Sequence, residues 1–256
     1  MDSFISLLIL AFVQGVTEWL PISSSGHLVV LGEILQVHQG LSFDIALHFG
    51  TLMAVFVYFG EDIVEMIRAV LRWNWKSKPG REALFILVGS VPAGVLGLLL
   101  YEWVSSLFSS LLVTGLGFGI TGLLLFIGSS VSSSSAPLTF RRAWIIGCLQ
   151  ACAILPGVSR SGTTLFGGIL QGMDVRASAR FSFLLSIPVI LGANLVVFQT
   201  QTLPPTFFIM TFVSFLTGVL TLHILLTKVL TSPSALRWFG GYALLAGAVT
   251  CVLAFS

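Results

Sequence analysis

The stretch QGVTEWLPISSSGH, residues 14–27, recurs in altered form as QACAILPGVSRSGT, residues 150–163. Both copies lie inside long apolar sequence, 136 residues apart. The first copy carries a carboxylate, Glu18, and an imidazole, His27, whereas the second carries a guanidinium, Arg160. Charged side chains inside a membrane are costly, and they usually mark functional sites. We therefore expect the chemistry of this chain to lie in the two copies.

Composition identifies the class of protein around this repeat. The chain has 256 residues, of which 56% are hydrophobic and 9% are charged. A soluble domain carries about 25% charged residues. Long apolar runs recur from end to end, which predicts an all-α integral membrane protein. The net charge of +2 gives no indication of nucleic-acid binding, and we expect no such partner.

Six uninterrupted apolar stretches are long enough to cross a bilayer, which takes about 17–25 residues in a helix. These predicted spans are 43–60, 83–101, 110–128, 180–198, 207–227 and 237–255.

Two further apolar regions are interrupted by the polar repeat. Region 3–35 is broken at 21–26, and region 143–172 is broken at 156–162. The pieces after the breaks are too short to span a bilayer, so each region is predicted to be a re-entrant helical hairpin. Broken backbone at membrane depth is tolerated where protein or a water-filled cavity surrounds it.

Proline and serine explain the breaks. Pro21 and Pro156 stop a helix because proline lacks a backbone N–H and its ring clashes with the preceding turn. The runs Ser23–Ser25 and Ser159–Ser161 supply N-caps for the helix that follows. Each region therefore predicts a helix, a break and a second helix.

The basic residues support six spans and two hairpins. With this topology the loops 60–82, 129–142, 172–180 and 228–236, with the adjoining start of the last span, lie on one side of the membrane. They hold eleven of the twelve Lys and Arg residues, and the twelfth is Arg160. Because positive loops stay in the cytoplasm, both termini and the first hairpin are predicted to face outward.

The repeat divides the chain into two halves. The first repeat is predicted at 1–128, the linker at 129–142 and the second repeat at 143–256, together forming one functional domain. Each half has one hairpin and three spans, and three is an odd number, so the halves must be inverted relative to each other. In inverted-repeat membrane proteins such hairpins meet near the midplane.

If the hairpin tips meet, the polar side chains converge on one site. Glu18, Ser24, His27, Arg160 and Thr164 are expected there. Two helix N-termini and an arginine fork make a site suited to phosphate. A phosphorylated substrate whose tail lies in lipid is therefore indicated.

One residue outside the repeat is a further candidate. His48 lies about one turn inside the first predicted span, from where its imidazole could reach the site.

Two motifs resemble a known family, the undecaprenyl-diphosphate phosphatases, or bacitracin-resistance proteins. The motifs are Gln14-x-x-x-Glu18 with Pro21-x-Ser23-Ser24-x-Gly26-His27, and Pro156-Gly157-x-Ser159-Arg160-Ser161-Gly162-x-Thr164. The resemblance covers nearly the whole chain. It implies removal of the terminal phosphate from a polyprenyl diphosphate, which recycles the lipid carrier of cell-wall synthesis in a bacterial plasma membrane. It also implies a divalent cation, Mg²⁺ or Ca²⁺, and an active site that faces outward.

The resemblance and the side-chain chemistry agree on the binding roles. Arg160 would hold the diphosphate with the hydroxyls of Ser159, Ser161 and Thr164. Glu18 would bind the cation or act as a base.

Gln14 and Ser23 complete the set of expected substrate-binding residues. The family pattern allows Glu or Gln at position 14, and Gln14 would assist through its amide because it cannot act as a base. Ser23 is a further substrate-binding candidate.

The nucleophile is expected in the first hairpin. Ser24, with His27 as its acid/base partner, is our preferred assignment. His27 as a phospho-accepting nucleophile and direct attack by water are the alternatives.

The inverted repeat alone would be equally compatible with a second function, that of a transporter or lipid flippase. A transporter needs no nucleophile beside an acid/base group, so Ser24 with His27 favours the enzyme.

Small residues indicate close helix packing. Gly115-x-x-x-Gly119 and Gly168-x-x-x-Gly172 are motifs of this kind. They could pack helices within the chain or form the interface of a homodimer.

Overall fold

The structure is a computed structural model. It describes residues 3–37, 41–131, 134–200, 204–230 and 232–255. The predictions for loops 129–142 and 228–236 and for both termini lie partly outside these described residues.

All regular secondary structure in the described residues is helical, which confirms the all-α prediction. The α-helices are α1 Phe4–Thr17, α2 Ser24–Leu35, α3 Leu41–Tyr58, α4 Gly60–Leu71, α5 Lys78–Leu99, α6 Tyr101–Leu107, α7 Leu111–Gly128, α8 Phe140–Cys152, α9 Arg160–Leu170, α10 Val175–Thr200, α11 Thr206–Ile224 and α12 Leu236–Leu253. A short π-helix, Leu225–Val229, continues α11, and a 3₁₀ turn, Pro233–Ala235, precedes α12.

The predicted spans correspond closely to six of these helices. Helices α5, α7, α10, α11 and α12 are each long and apolar enough to cross a membrane. Helices α3 and α4 together are long and apolar enough to form a sixth span, although the axes of the two helices differ in direction by 84°. The described part of the chain is therefore a multi-pass membrane protein.

The breaks begin earlier than the sequence predicted. Helix α1 ends at Thr17 and α8 ends at Cys152, and each of these residues lies four positions before a proline. A proline ring clashes with the carbonyl four residues earlier, so the last helical turn must end there. The breaks therefore cover 18–23 and 153–159 instead of 21–26 and 156–162.

Serine caps start the second helix of each pair, as predicted. The hydroxyl of Ser23 accepts a hydrogen bond from the N–H of Gly26 at 3.2 Å, and that of Ser159 accepts from Gly162 at 3.0 Å. Ser23 adopts a φ of 68°, a strained conformation for a residue other than glycine. The first hairpin therefore stores strain next to Glu18 and Ser24.

The packing of the helices follows a two-fold pattern. Helix α1 of the first half packs on α11 of the second, and α8 of the second half packs on α5 of the first. In the same way α3 packs on α11 and α10 on α5, while the last helices of the halves, α7 and α12, pack on each other. This interlocking supports the inverted-repeat prediction, although the proposed boundaries stay a prediction.

Glycines allow the closest of these approaches. A Cβ at Gly115 would lie 2.5 Å from the sulfur of Cys251, and one at Gly247 would lie 2.8 Å from the carbonyl of Gly115. The first glycine of this small-residue motif therefore serves α7–α12 packing inside the chain. Gly168 similarly faces Ser178 of the same chain, so the homodimer stays a prediction.

An ion cluster joins the two halves near the predicted cytoplasmic side. The guanidinium of Arg180, on α10, donates to Asp62 at 2.6 Å and to Glu82 at 3.0 Å. These carboxylates belong to α4 and α5, so the cluster fixes the start of α10 against the first half.

Gly157 provides a test of the second break. Its φ is +83°, and a Cβ there would overlap the carbonyl oxygen of Thr114 on α7. We expect Gly157→Ala to destabilise the protein by on the order of 3 kcal/mol and to lower the melting temperature in detergent. Gly119→Ala is the matched control, because a Cβ there meets nothing within 4 Å. Equal melting temperatures for the two variants would contradict this account.

Candidate active site

The two breaks meet through an ion pair between Glu18 and Arg160. Nη2 of Arg160 donates to Oε1 of Glu18. The Glu18 side chain is 5% exposed and that of Arg160 is 16% exposed. Glu18 is the first residue after α1, and Arg160 is the first residue of α9. One charge therefore comes from each half, as the sequence predicted.

Three donors surround the other oxygen of the same carboxylate. Oε2 of Glu18 accepts from the Ser24 hydroxyl at 2.6 Å and from Nε2 of Gln14 at 3.0 Å. Nε2 of His48 lies 3.3 Å from it. Gln14 lies one turn before Glu18, while the break turns the chain so that Ser24 faces back toward the carboxylate. His48, on α3, does reach the site.

Arg160 is held from two further directions. Its guanidinium carbon lies 5.7 Å from the centre of the Trp19 ring, and its Nη1 donates to the carbonyl of Ser182 at 3.4 Å. Trp19 is fully buried and packs edge-on against Phe183. These contacts leave the guanidinium with a defined direction toward Glu18.

The predicted phosphate-binding hydroxyls hold the second hairpin together instead of lining an open site. Ser159 caps α9, and Ser161 donates to the carbonyl of Leu20 at 3.0 Å across the contact between the tips. Thr164 shares a hydrogen bond with the hydroxyl of Ser182. All three predicted residues are at least 95% buried, so in this geometry they position Arg160.

His27 lies apart from the hydroxyl that it was expected to serve. Its Nδ1 is 2.6 Å from the carbonyl of Ser23, and its Nε2 is 2.7 Å from the hydroxyl of Tyr242. The first bond follows from the i to i+4 geometry at the start of α2 and turns the ring toward α12. The structure therefore does not pair His27 with Ser24, and Glu18 takes the place next to that hydroxyl.

An apolar cavity lies beside His27. Its volume is about 510 Å³, and it is formed by α1, α2, α7 and α12. Its wall includes Phe12, Val16, Phe118, Tyr242 and Leu245.

Three residues outside the two repeat motifs belong to the site or its surroundings. His48 was indicated in the sequence as a polar residue inside an apolar span. Ser182 and Tyr242 gave no comparable signal, because serine and tyrosine are ordinary residues of membrane helices. Only the packing of α10 and α12 brings them near the two breaks.

The donor set allows one kind of cation binding. The described residues contain no group of three or more His, Cys, Asp or Glu side chains that could hold a metal ion. Glu18 is the carboxylate of the site, and its oxygens already accept from Arg160, Ser24 and Gln14. Mg²⁺ commonly uses one or two carboxylates together with substrate phosphates and water. The residues therefore fit a cation that Glu18 and an anionic substrate hold jointly.

The arrangement favours transfer of an anionic group to a hydroxyl. Ser24 is already hydrogen-bonded to a base, and a guanidinium that can stabilise negative charge lies on the other side of that base. The N-terminus of α9, which begins at Arg160, adds backbone N–H groups of the same polarity.

Comparison with known proteins agrees with this chemistry. The family model described as bacitracin resistance protein BacA matches residues 7–249. A relative from Korarchaeum cryptofilum is 39% identical, covering 94% of this chain and 95% of its own. One from Thermosipho melanesiensis is 36% identical over 96% and 98%, and one from Christiangramia forsetii is 33% identical over the full length of both chains. All three relatives are named undecaprenyl-diphosphatase.

The repeat itself supplies a test of which copy carries the polar site. Gln14 donates to Glu18, whereas Gln150, its counterpart, is buried with no hydrogen-bond partner for either amide atom among the described residues. Ile154 stands where the acid would be. We expect Gln14→Leu to cost about 2 kcal/mol, because it removes a bond to a buried charge.

The matched variant Gln150→Leu removes an unpaired buried amide, so its melting temperature should equal or exceed that of the wild type. Thermal unfolding followed by tryptophan fluorescence measures both variants. A larger loss for Gln150→Leu than for Gln14→Leu would be the opposite of this expectation.

Proposed function

This chain belongs to the family of the bacitracin resistance protein BacA, and we propose that its Glu18–Arg160 site carries out the family's phosphatase reaction. The reaction is hydrolysis of undecaprenyl diphosphate to the monophosphate and inorganic phosphate. The observation that carries the site assignment is the hydrogen bond from Ser24 to Glu18 beside the guanidinium of Arg160.

Arg160 is the group that we assign to diphosphate binding. A guanidinium presents a planar fork that matches two phosphate oxygens. Its charge also offsets the negative charge that builds up on the leaving monophosphate. Trp19 and Ser182 orient it from the protein side, so its remaining N–H groups are available to substrate.

Ser24 is the nucleophile that the geometry favours. As its Oγ attacks the terminal phosphorus, its proton passes to Oε2 of Glu18, which lies 2.6 Å away. The bond from phosphorus to the bridging oxygen breaks, and the prenyl monophosphate leaves with that oxygen. Water then displaces Oγ from phosphorus, its protons leave with inorganic phosphate, and Glu18 returns the proton to Ser24.

The two rival nucleophiles have less support from the contacts. Both ring nitrogens of His27 are engaged, by Ser23 and Tyr242, on the side that faces the apolar cavity. Direct attack by water requires Glu18 to activate a water molecule while Ser24 occupies the same carboxylate oxygen.

A divalent cation remains part of the proposal. Glu18 would hold it together with the diphosphate, and it would supply additional positive charge against the phosphate oxygens. The neutral amide of Gln14 would orient Glu18.

The prenyl chain would lie in the membrane beside the first hairpin. The cavity of about 510 Å³ next to His27 has a mostly apolar wall, and two of its lining side chains, Phe12 and Leu245, are exposed on the helix surface. Ser23 contributes to this face by accepting the bond that fixes His27.

The protein is a multi-pass membrane protein, and its relatives come from bacteria and archaea. We place the site on the outer side of the plasma membrane, because nearly all basic residues lie in the opposite loops. Hydrolysis there would regenerate the lipid carrier for cell-wall synthesis and would support the bacitracin resistance that the family is named for. The transporter or flippase alternative has no observation of its own beyond the helix pattern.

The catalytic assignment is tested with purified protein, farnesyl diphosphate and Mg²⁺ or Ca²⁺, by measuring phosphate release. Ser24→Ala should reduce kcat by at least about 10³-fold, because it removes the nucleophile. Arg160→Ala should reduce it by about 10²- to 10³-fold, because the developing charge is no longer offset.

Two variants serve as controls for these substitutions. Ser90→Ala removes a hydroxyl that bonds its own helix at Ile86, and Arg176→Ala removes an exposed guanidinium. Both should keep wild-type turnover. Full activity in Ser24→Ala would exclude the serine mechanism, and full activity in both site variants would exclude the whole assignment.

The orientation is tested by labelling single cysteines in intact cells. In a background with Cys148, Cys152 and Cys251 replaced by Ala, one variant carries Ser109→Cys and the other Lys76→Cys. Both positions are exposed at opposite predicted sides. A membrane-impermeant maleimide should label the cysteine at 109 and leave that at 76 unlabelled until the cells are lysed. The reverse result would place the active site on the cytoplasmic side.

A further inference from the structure

His48 is held by both of its ring nitrogens, although it belongs to neither half of the repeat motif. Its Nδ1 lies 2.7 Å from the carbonyl oxygen of Asp44, one turn earlier on α3. A carbonyl can only accept a hydrogen bond, so Nδ1 carries a hydrogen, and Nε2 donates to the carboxylate when the ring is an imidazolium with a hydrogen on both nitrogens. The direction of the ring is thereby fixed, and Nε2 points at the carboxylate of Glu18, 3.3 Å away.

The oxygen that His48 approaches is the one that Ser24 uses. Oε2 of Glu18 receives the Ser24 hydroxyl at 2.6 Å, and His48 and Gln14 contact the same oxygen from other sides. Oε1 is left to Arg160. The two oxygens of one carboxylate therefore have separate partners.

This separation opposes the pairing that Arg160 would favour by itself. Arginine and a carboxylate commonly form two parallel hydrogen bonds, and the last torsion of a glutamate side chain rotates easily. Rotation of Glu18 into such a pair would move Oε2 away from Ser24. A fixed donor beside Oε2 opposes this movement, and His48 and Gln14 both contact that oxygen.

We propose that His48 is a positioning residue for the phosphatase reaction. It keeps Oε2 of Glu18 directed at Ser24 against the attraction of Arg160. This role rests on the proposed functions of Glu18 and Ser24, and it assigns His48 no contact with the reacting phosphorus. His48 is suited to the role because its side chain is 75% buried and its ring is tied to α3.

The test is a pair of variants, of which one has a hydrogen-bond donor at the end of the side chain and the other has none. Glutamine at position 48 can present an amide N–H toward Glu18, whereas methionine has a similar length and no donor. We expect His48→Gln to keep kcat close to that of the wild type. His48→Met should lose about 10²-fold in kcat with little change in KM, because the carboxylate is misplaced while the diphosphate site is intact.

His223→Met is the control for replacing an intramembrane histidine, since His223 lies on α11 against the Tyr58 ring and outside the site. Its kcat should match that of the wild type. Thermal unfolding of every variant shows whether a loss of activity reflects misfolding. If His48→Met does not fold, the folded His48→Gln variant decides, and a large loss of kcat in it would overturn the proposal.

The outcomes separate this proposal from the proposed mechanism. Wild-type kcat in His48→Met, with Ser24→Ala inactive, would overturn the role of His48 and leave the serine mechanism in place. Equal losses in His48→Met and His48→Gln would also overturn it, because the donor would not matter. An active Ser24→Ala variant would refute the serine mechanism and the positioning role together.

Discussion

The buried ion pair between Glu18 and Arg160 is the interaction on which the rest of this structure depends. Separating the two charges would leave an uncompensated charge in an apolar interior, at a cost of several kcal/mol. The pair therefore forces the two breaks to meet. The surrounding packing serves this contact: Trp19 and Ser182 orient Arg160, and the hydroxyl of Ser161 bonds across the tips to Leu20.

The two halves share a backbone design and differ in side chains. In both halves, the first helix ends four residues before a proline, and a serine caps the next helix. The first half places Gln14, Glu18 and Ser24 on this frame. The second places Gln150, Ile154 and Arg160 on equivalent positions, and Gln150 finds no partner among the described residues. The polar site thus depends on the difference between the copies, since one copy alone would hold an unpaired charge.

Sequence reasoning succeeded for features that depend on neighbours along the chain. The six spans, the two breaks and the serine caps follow from apolar length, proline and N-cap chemistry, which are local effects. It placed the breaks a few residues late, because the proline clash acts on the preceding turn. It failed where side-chain direction decides, as for His27, which turns to Ser23 and Tyr242 instead of Ser24.

The sequence by itself determined the class of the protein, its family and its long apolar helices, while α4 lies in a stretch that was predicted to be a loop. It also placed Glu18 and Arg160 at one site, because a buried charge requires a partner or a ligand. Tertiary structure alone decided which atoms share the carboxylate. Ser24 and His48 come from different helices and converge on one oxygen of Glu18. The hydroxyls of Thr164 and Ser161 instead form hydrogen bonds inside the protein, with Ser182 and with the carbonyl of Leu20. The physical reason is that a hydrogen bond requires a narrow range of distance and angle between donor and acceptor. The packing of helices that are distant in sequence sets both quantities.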